Sequence, residues 1–174
     1  MVKTWVRALA CAVTCLMPLG DALAQKGPDP LESRLAARKV VMVDGRESLV
    51  DAGRAKPGDV IEYTATYRNA GKEPITGLQA TLPIPAQTEL LPGTAKPAQA
   101  MASLDTRTFA AMPLKRVIER GGVKIEEPVP YREYRALRWS AGVLGSGKSA
   151  DFVARVRVIE DRTPGETAGK GGGK

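Results

Sequence analysis

Polar and apolar residues alternate most regularly in the segment 60–68. Ile61, Tyr63, Ala65 and Tyr67 fall on one side and Glu62, Thr64, Thr66 and Arg68 on the other. A period of two with a single apolar side predicts a strand with one face on a core and one in water. Both ends are punctuated. Pro57 presets φ and Gly58 accepts a turn in Pro57-Gly58-Asp59, and Asn69-Ala70-Gly71 supplies residues that tolerate positive φ. The segment 149–159 repeats the pattern, with Phe152, Ala154, Val156 and Val158 on one face and Arg155 and Arg157 on the other.

Weaker patterns fill the space between. Val40-Val41-Met42-Val43 predicts a first strand stopped by Asp44-Gly45, with a short strand near Ser48-Leu49-Val50. Leu78, Ala80 and Leu82 alternate with Gln79 and Thr81, and Pro83-Ile84-Pro85 ends that strand because proline cannot donate to a ladder. The segment 88–91 is short and extended, 98–104 has no period and reads as loop, and 106–110 reads as a strand. Two extended runs, 114–119 and 123–126, flank Gly121-Gly122 and predict a β-hairpin. Leu137 and Trp139 share one side of a strand in 134–141, and 143–148 reads as a turn.

Seven to nine short strands, turn signals between them and no amphipathic helix predict an all-β chain, an antiparallel β-sandwich. Tyr63, Tyr67, Trp139 and Phe152 are the expected core anchors. The sandwich is expected over 39–160. Residues 25–38 read as an N-terminal linker: Gly27-Pro28-Asp29-Pro30 is rigid and irregular, and 31–39 suits a linker better than a helical turn. Residues 161–174, rich in Gly and Lys, are expected to be a disordered tail.

Several of these turns and strands, taken in order, resemble a bacterial immunoglobulin-like domain, the conserved repeat called domain of unknown function eleven. The matching residues are Pro57-Gly58-Asp59, Tyr63-Thr64, Asn69-x-Gly71, Leu82-Pro83-x-Pro85 and Pro92-Gly93-Thr94-Ala95. They continue with Trp139, Gly142, Leu144, Gly147 and Ser149-Ala150 leading into 152–158. The resemblance covers most of 40–159 and implies an immunoglobulin-like topology on an exported or surface protein, with no catalytic residues to carry over. One copy of the repeat is expected, without a sorting anchor, in departure from the family's usual tandem arrangement, and 99–134, which fits poorly, reads as an insertion.

The N terminus changes the picture of compartment. Lys3 and Arg7 precede an apolar run at 8–19, and Ala22-Leu23-Ala24 is a small-x-small site before Gln25, so 1–24 reads as a secretory signal peptide. The expected location is periplasmic or extracellular. Both cysteines, Cys11 and Cys15, lie inside that signal, so the mature chain would rely on its core without disulfides. No later apolar stretch reaches a membrane span. The formal net charge of +7 falls to +6 on losing Lys3, Arg7 and Asp21, and the charges are interleaved. That balance gives weak attraction to anionic polymers and no nucleic-acid signature.

Candidate chemistry is sparse. Residues 142–149, Gly-Val-Leu-Gly-Ser-Gly-Lys-Ser, fit the letters of a nucleotide-binding P-loop. A true P-loop opens a helix, whereas 149–159 alternates as a strand, so the stretch reads as a hairpin loop. With no histidine in the chain and no cysteine after residue 24, a zinc or copper site lacks its ligands, and serine nucleophiles lack a histidine base. No cofactor is expected. Arg155 and Arg157, with Arg135 and Arg138 before Trp139, would form one basic partner-binding face if their strands pair.

The expectation is therefore an exported, non-enzymatic module with a structural or adhesive role at the cell envelope. Its partner would be an envelope protein or an anionic polymer. The alternatives are a periplasmic assembly factor working by strand addition and, less favoured, an exported hydrolase.

Overall fold

The computed structural model describes residues 30–160; the expected signal peptide and tail lie outside the described residues. The fold is all-β. Its strands are β1 (Leu31–Val43), β2 (Arg46–Asp51), β3 (Val60–Asn69), β4 (Ile75–Pro83), β5 (Thr88–Leu90) and β6 (Met101–Ser103). They continue with β7 (Ala110–Ala111), β8 (Lys115–Arg120), β9 (Val123–Pro128), β10 (Ala136–Leu144) and β11 (Ser149–Val158).

A five-stranded sheet has the order β2-β1-β3-β11-β5 and a four-stranded sheet the order β4-β10-β6-β7. Every pairing is antiparallel. The inward residues of the two sheets make one core. Ile61, Ala65, Phe152, Ala154 and Val156 from the first sheet meet Ala80, Leu82, Ala102, Leu137 and Trp139 from the second. This is the sandwich that the alternation predicts. Trp139 tilts against Phe152 at 5.3 Å, and its indole N–H donates to the Pro97 carbonyl at 2.6 Å. A buried indole needs such an acceptor. Tyr63 and Tyr67 pack against the core half-buried rather than within it.

Three expectations need correction. First, the linker assigned to 25–38 does not hold over its described part: Leu31–Arg38 is the first half of β1, paired with Asn69–Glu62 of β3. The segment is rich in helix-favouring Leu, Ala, Arg and Glu, but the exposed ladder groups of β3 offer it a full set of backbone bonds, which outweighs weak local propensity. Second, the loop expected at 98–104 contains β6, and of the strand expected at 106–110 only Ala110 belongs to one. Third, the turn after β10 does not join hairpin partners. β10 pairs with β4 and β6, β11 with β3 and β5, so the chain crosses from one sheet to the other at 145–148. Short strands of two and three residues account for a count of eleven instead of seven to nine.

The segment that fits the repeat poorly is built as a projection. β8 and β9 pair only with each other, joined by Gly121 and Gly122 at φ +61° and +80°, the two-residue turn that left-handed glycines favour. Its base is pinned by buried Tyr134, whose hydroxyl accepts the Leu114 N–H at 2.7 Å, and by the Val129 N–H bonded to the Leu114 carbonyl.

Candidate binding surface

Sheet edges carry unpaired backbone groups, so each edge of this sandwich is a place where another chain can add. Most are closed. Along β11, β5 pairs with Val156–Val158, the Thr94 hydroxyl accepts the Arg155 N–H at 3.0 Å, and Lys96 bridges Val153. On β4, the Tyr67 hydroxyl reaches over from the facing sheet. It accepts the Thr81 N–H at 3.1 Å and donates to the Thr81 carbonyl at 3.2 Å. Pro83, at the end of the same strand, has no N–H to offer.

The β2–β1 side is different. β2 covers only Arg38–Val43 of β1, and among the described strands β3 alone is paired with Ser33–Ala37. Which groups point outward follows from Asn69. Its N–H donates to the Lys148 carbonyl and its C=O accepts from Gly147, both away from β1. The Leu31–Asn69 pair is therefore not mutually bonded, Glu32–Arg68 is, and the alternation continues along the ladder. Ser33, Leu35 and Ala37 thus aim their N–H and C=O away from β3, and no described strand pairs with them.

The same side is also uncovered on its inner face. Odd-numbered residues of β1 lie opposite Ile61, Tyr63, Ala65 and Tyr67 and so share the core-facing side. β4 and β10 pack over β3 and β11 and stop short of β1 and β2. Leu35, Val43 and Val50 are left 49%, 50% and 41% exposed on a face that would elsewhere be core. Of these only Leu35 lies beside the part of β1 that β2 leaves uncovered; Val43 and Val50 lie within the β1–β2 ladder, and Met42 and Leu49 are exposed on the outward side of the same two strands.

The four arginines singled out from sequence do not form one face, because their strands do not pair. Arg138, on the outside of the four-stranded sheet, stacks over Phe109 with its guanidinium carbon 3.6 Å from the ring centroid. Arg135, just before β10, spends its guanidinium on the carbonyls of Arg132 and Tyr134. Arg155, on the outside of the other sheet, is tied to Glu62 at 2.9 Å and to Glu47 at 2.9 Å. Its hydrogen bond to Glu47, then that to Glu62, holds it more firmly protonated, and Glu47 is held below the usual carboxylate range in return. This arginine staples β2 to β11 and is not a free cation. Arg157 is exposed and lines a cleft of about 760 Å³ with Arg132. Glu89 and Glu160 line it too, so the cleft carries no surplus of positive charge.

The P-loop-like stretch is spent on structure. The Gly147 N–H donates to the Asn69 carbonyl, the Lys148 N–H to Gly145, and the Ser146 hydroxyl to the Gly71 carbonyl at 2.7 Å. β11 follows it where a phosphate site needs a helix N-terminus. Among the described residues no three His, Cys, Asp or Glu side chains gather as a metal site, and no helix is long and apolar enough to cross a membrane. No protein-family model, curated protein or solved structure matches this chain.

The open side of β1 was hidden from sequence reading by the linker assignment. One signal was present: Leu31, Ser33, Leu35 and Ala37 alternate with Glu32, Arg34, Ala36 and Arg38, with charge on one side only.

Proposed function

We propose that this chain is an exported, non-enzymatic module of immunoglobulin-like topology, with a structural or adhesive role at the cell envelope. Contact is made through protein, by strand addition at the β2–β1 side. The signal-like residues 1–24 and the resemblance of 40–159 to an exported repeat support the compartment and the topology. The observation that carries the binding mode is the coincidence of outward backbone groups at Ser33, Leu35 and Ala37 with the half-exposed Leu35 side chain on the inward face. An extended segment laid there gains main-chain hydrogen bonds and has Leu35 to pack against. A general assembly factor would present a long apolar edge; here the free stretch is short and carries Glu32 and Arg34, which favours one defined partner. The test is crosslinking in intact cells from a photoreactive residue at Val50. A discrete crosslinked species is expected, and none at any exposure time contradicts the reading.

A further inference from the structure

We infer that the projecting hairpin binds a second copy of this chain, β8 of each pairing antiparallel with β8 of the other about a two-fold axis at Val117. This surface is separate from the β2–β1 side and adds to it.

The ladder fixes which groups of β8 point outward. The Val129 N–H binds the Leu114 carbonyl, so these two residues face each other through their backbones. Alternation from there bonds Arg116 to Glu127, Ile118 to Ile125 and Arg120 to Val123, the last closing the two-residue turn. Lys115, Val117 and Glu119 therefore aim their N–H and C=O away from β9. Among the described residues no strand pairs with that side of β8. The three side chains share one face of the hairpin, and Val117 is 65% exposed on it. On the other face Arg116 is tied to Glu127 at 3.0 Å and to Glu133 at 2.9 Å.

Charge selects the partner and the register. Antiparallel pairing of β8 with itself, centred on Val117, sets Val117 against Val117 and Lys115 of each copy against Glu119 of the other. All of these residues direct their backbone outward, so they meet as mutually bonded pairs. Arg116 falls opposite Ile118, which its aliphatic stem can cover. Every other centre within β8 opposes like charges. Centred on Lys115, Arg116, Glu119 or Arg120, a charged residue meets itself; centred on Ile118, Arg116 meets Arg120. The outer edge of β9 offers less. Its best register, centred on Ile125, bonds only Lys124 with Glu126, because Pro128 has no N–H. Through β8 the two hairpins become one four-stranded sheet, and the interface is isologous, as a closed dimer requires.

Sedimentation of the full mature chain tests the pairing. Val117→Pro removes an N–H that β8 does not give to β9, so the hairpin keeps its ladder while the axis is blocked. Lys115→Glu and Glu119→Lys each turn two attractive oppositions into repulsive ones and should weaken dimerisation about tenfold or more. Lys115 also pairs with Glu126 of its own hairpin, so a single reversal disturbs more than the interface. Mixing the two reversals separates the effects: every opposition between copies returns to unlike charge while each hairpin stays as altered as before. The mixture should dimerise where neither variant does alone. A wild-type chain that stays monomeric up to about 1 mM overturns the inference. So does a mixture that fails to recover, or a dimer indifferent to Val117→Pro. Two further prolines locate a dimer formed elsewhere. Glu126→Pro blocks the outer edge of β9, and Ser33→Pro removes an N–H that β1 does not give to β3. A dimer lost in either of these and kept in Val117→Pro overturns the β8 pairing and leaves strand addition at the β2–β1 side standing.

Discussion

The hydroxyl of Tyr67, on the five-stranded sheet, completes both backbone groups of Thr81 on the edge of the four-stranded one. It does the work of a neighbouring strand at one residue, while its ring meets Phe152 edge-on at 5.9 Å. Tyr67→Phe keeps the ring contact and leaves Thr81 bare. We expect a loss of about 1 kcal/mol in urea unfolding, with the slope unchanged, since one hydroxyl with two hydrogen bonds is removed from a half-buried site. A loss below the error of the measurement would mean that water satisfies Thr81 equally well.

Asn69 holds the crossing between sheets. It is fully buried, and its amide donates to the carbonyls of Glu73 at 2.8 Å and Leu144 at 2.9 Å while its oxygen accepts the Gly71 N–H at 2.9 Å. Its own backbone binds Gly147 and Lys148. The side chain thus ties the end of β3, the following turn and the end of β10 together. Asn69→Ala strands those groups, including the carbonyl of buried Leu144, and should cost about 2–4 kcal/mol, read from chemical unfolding. Asn69→Asp should cost a similar amount, because a carboxylate cannot donate to the two carbonyls.

The same residue shows what was legible in the chain. Alternation located β3, β11 and the middle of β4 and β10, because each has one face in the core and one in water. The turn around Gly147 was also legible, but its direction was not. A tight Gly-rich turn reads as a hairpin, and what sends β11 to the other sheet is a side chain about 75 positions away, bonded to Leu144. The first half of β1 was lost for a related reason: its residues favour helix on their own, and only the ladder of β3 makes them a strand. The arginine face failed with the hairpin, since it assumed that β10 and β11 pair.

Trp139 should dominate stability. It is 2% exposed and touches Phe152 across the core. Trp139→Phe loses the bond to Pro97 and leaves a cavity, so about 1–3 kcal/mol should disappear from the free energy of unfolding. Trp139→Leu should lose more.

Acid stability should depend on Asp105. Its carboxylate accepts the N–H groups of Thr108 and Arg107 and the Ser103 hydroxyl, which lowers its pKa from 3.8 to about 2. A depressed folded-state pKa stabilises above the unfolded value and is lost as pH falls through the folded one. The contribution is therefore present at neutral pH and fades between about pH 4 and pH 2. Asp105→Asn should flatten the stability profile in that window and leave its shape above about pH 5 unchanged, measured by thermal unfolding across pH.

The central claim is that the β2–β1 side is where this protein is held by another chain. It is tested most directly by comparing two photoreactive positions in intact cells, Leu35 on the open edge and Thr81 on β4, whose backbone groups Tyr67 completes. A strong adduct from Leu35, lost in the Ser33→Pro background, with little or none from Thr81, is the predicted result. Equal yields from both positions, or an adduct from Leu35 that survives Ser33→Pro, would contradict it.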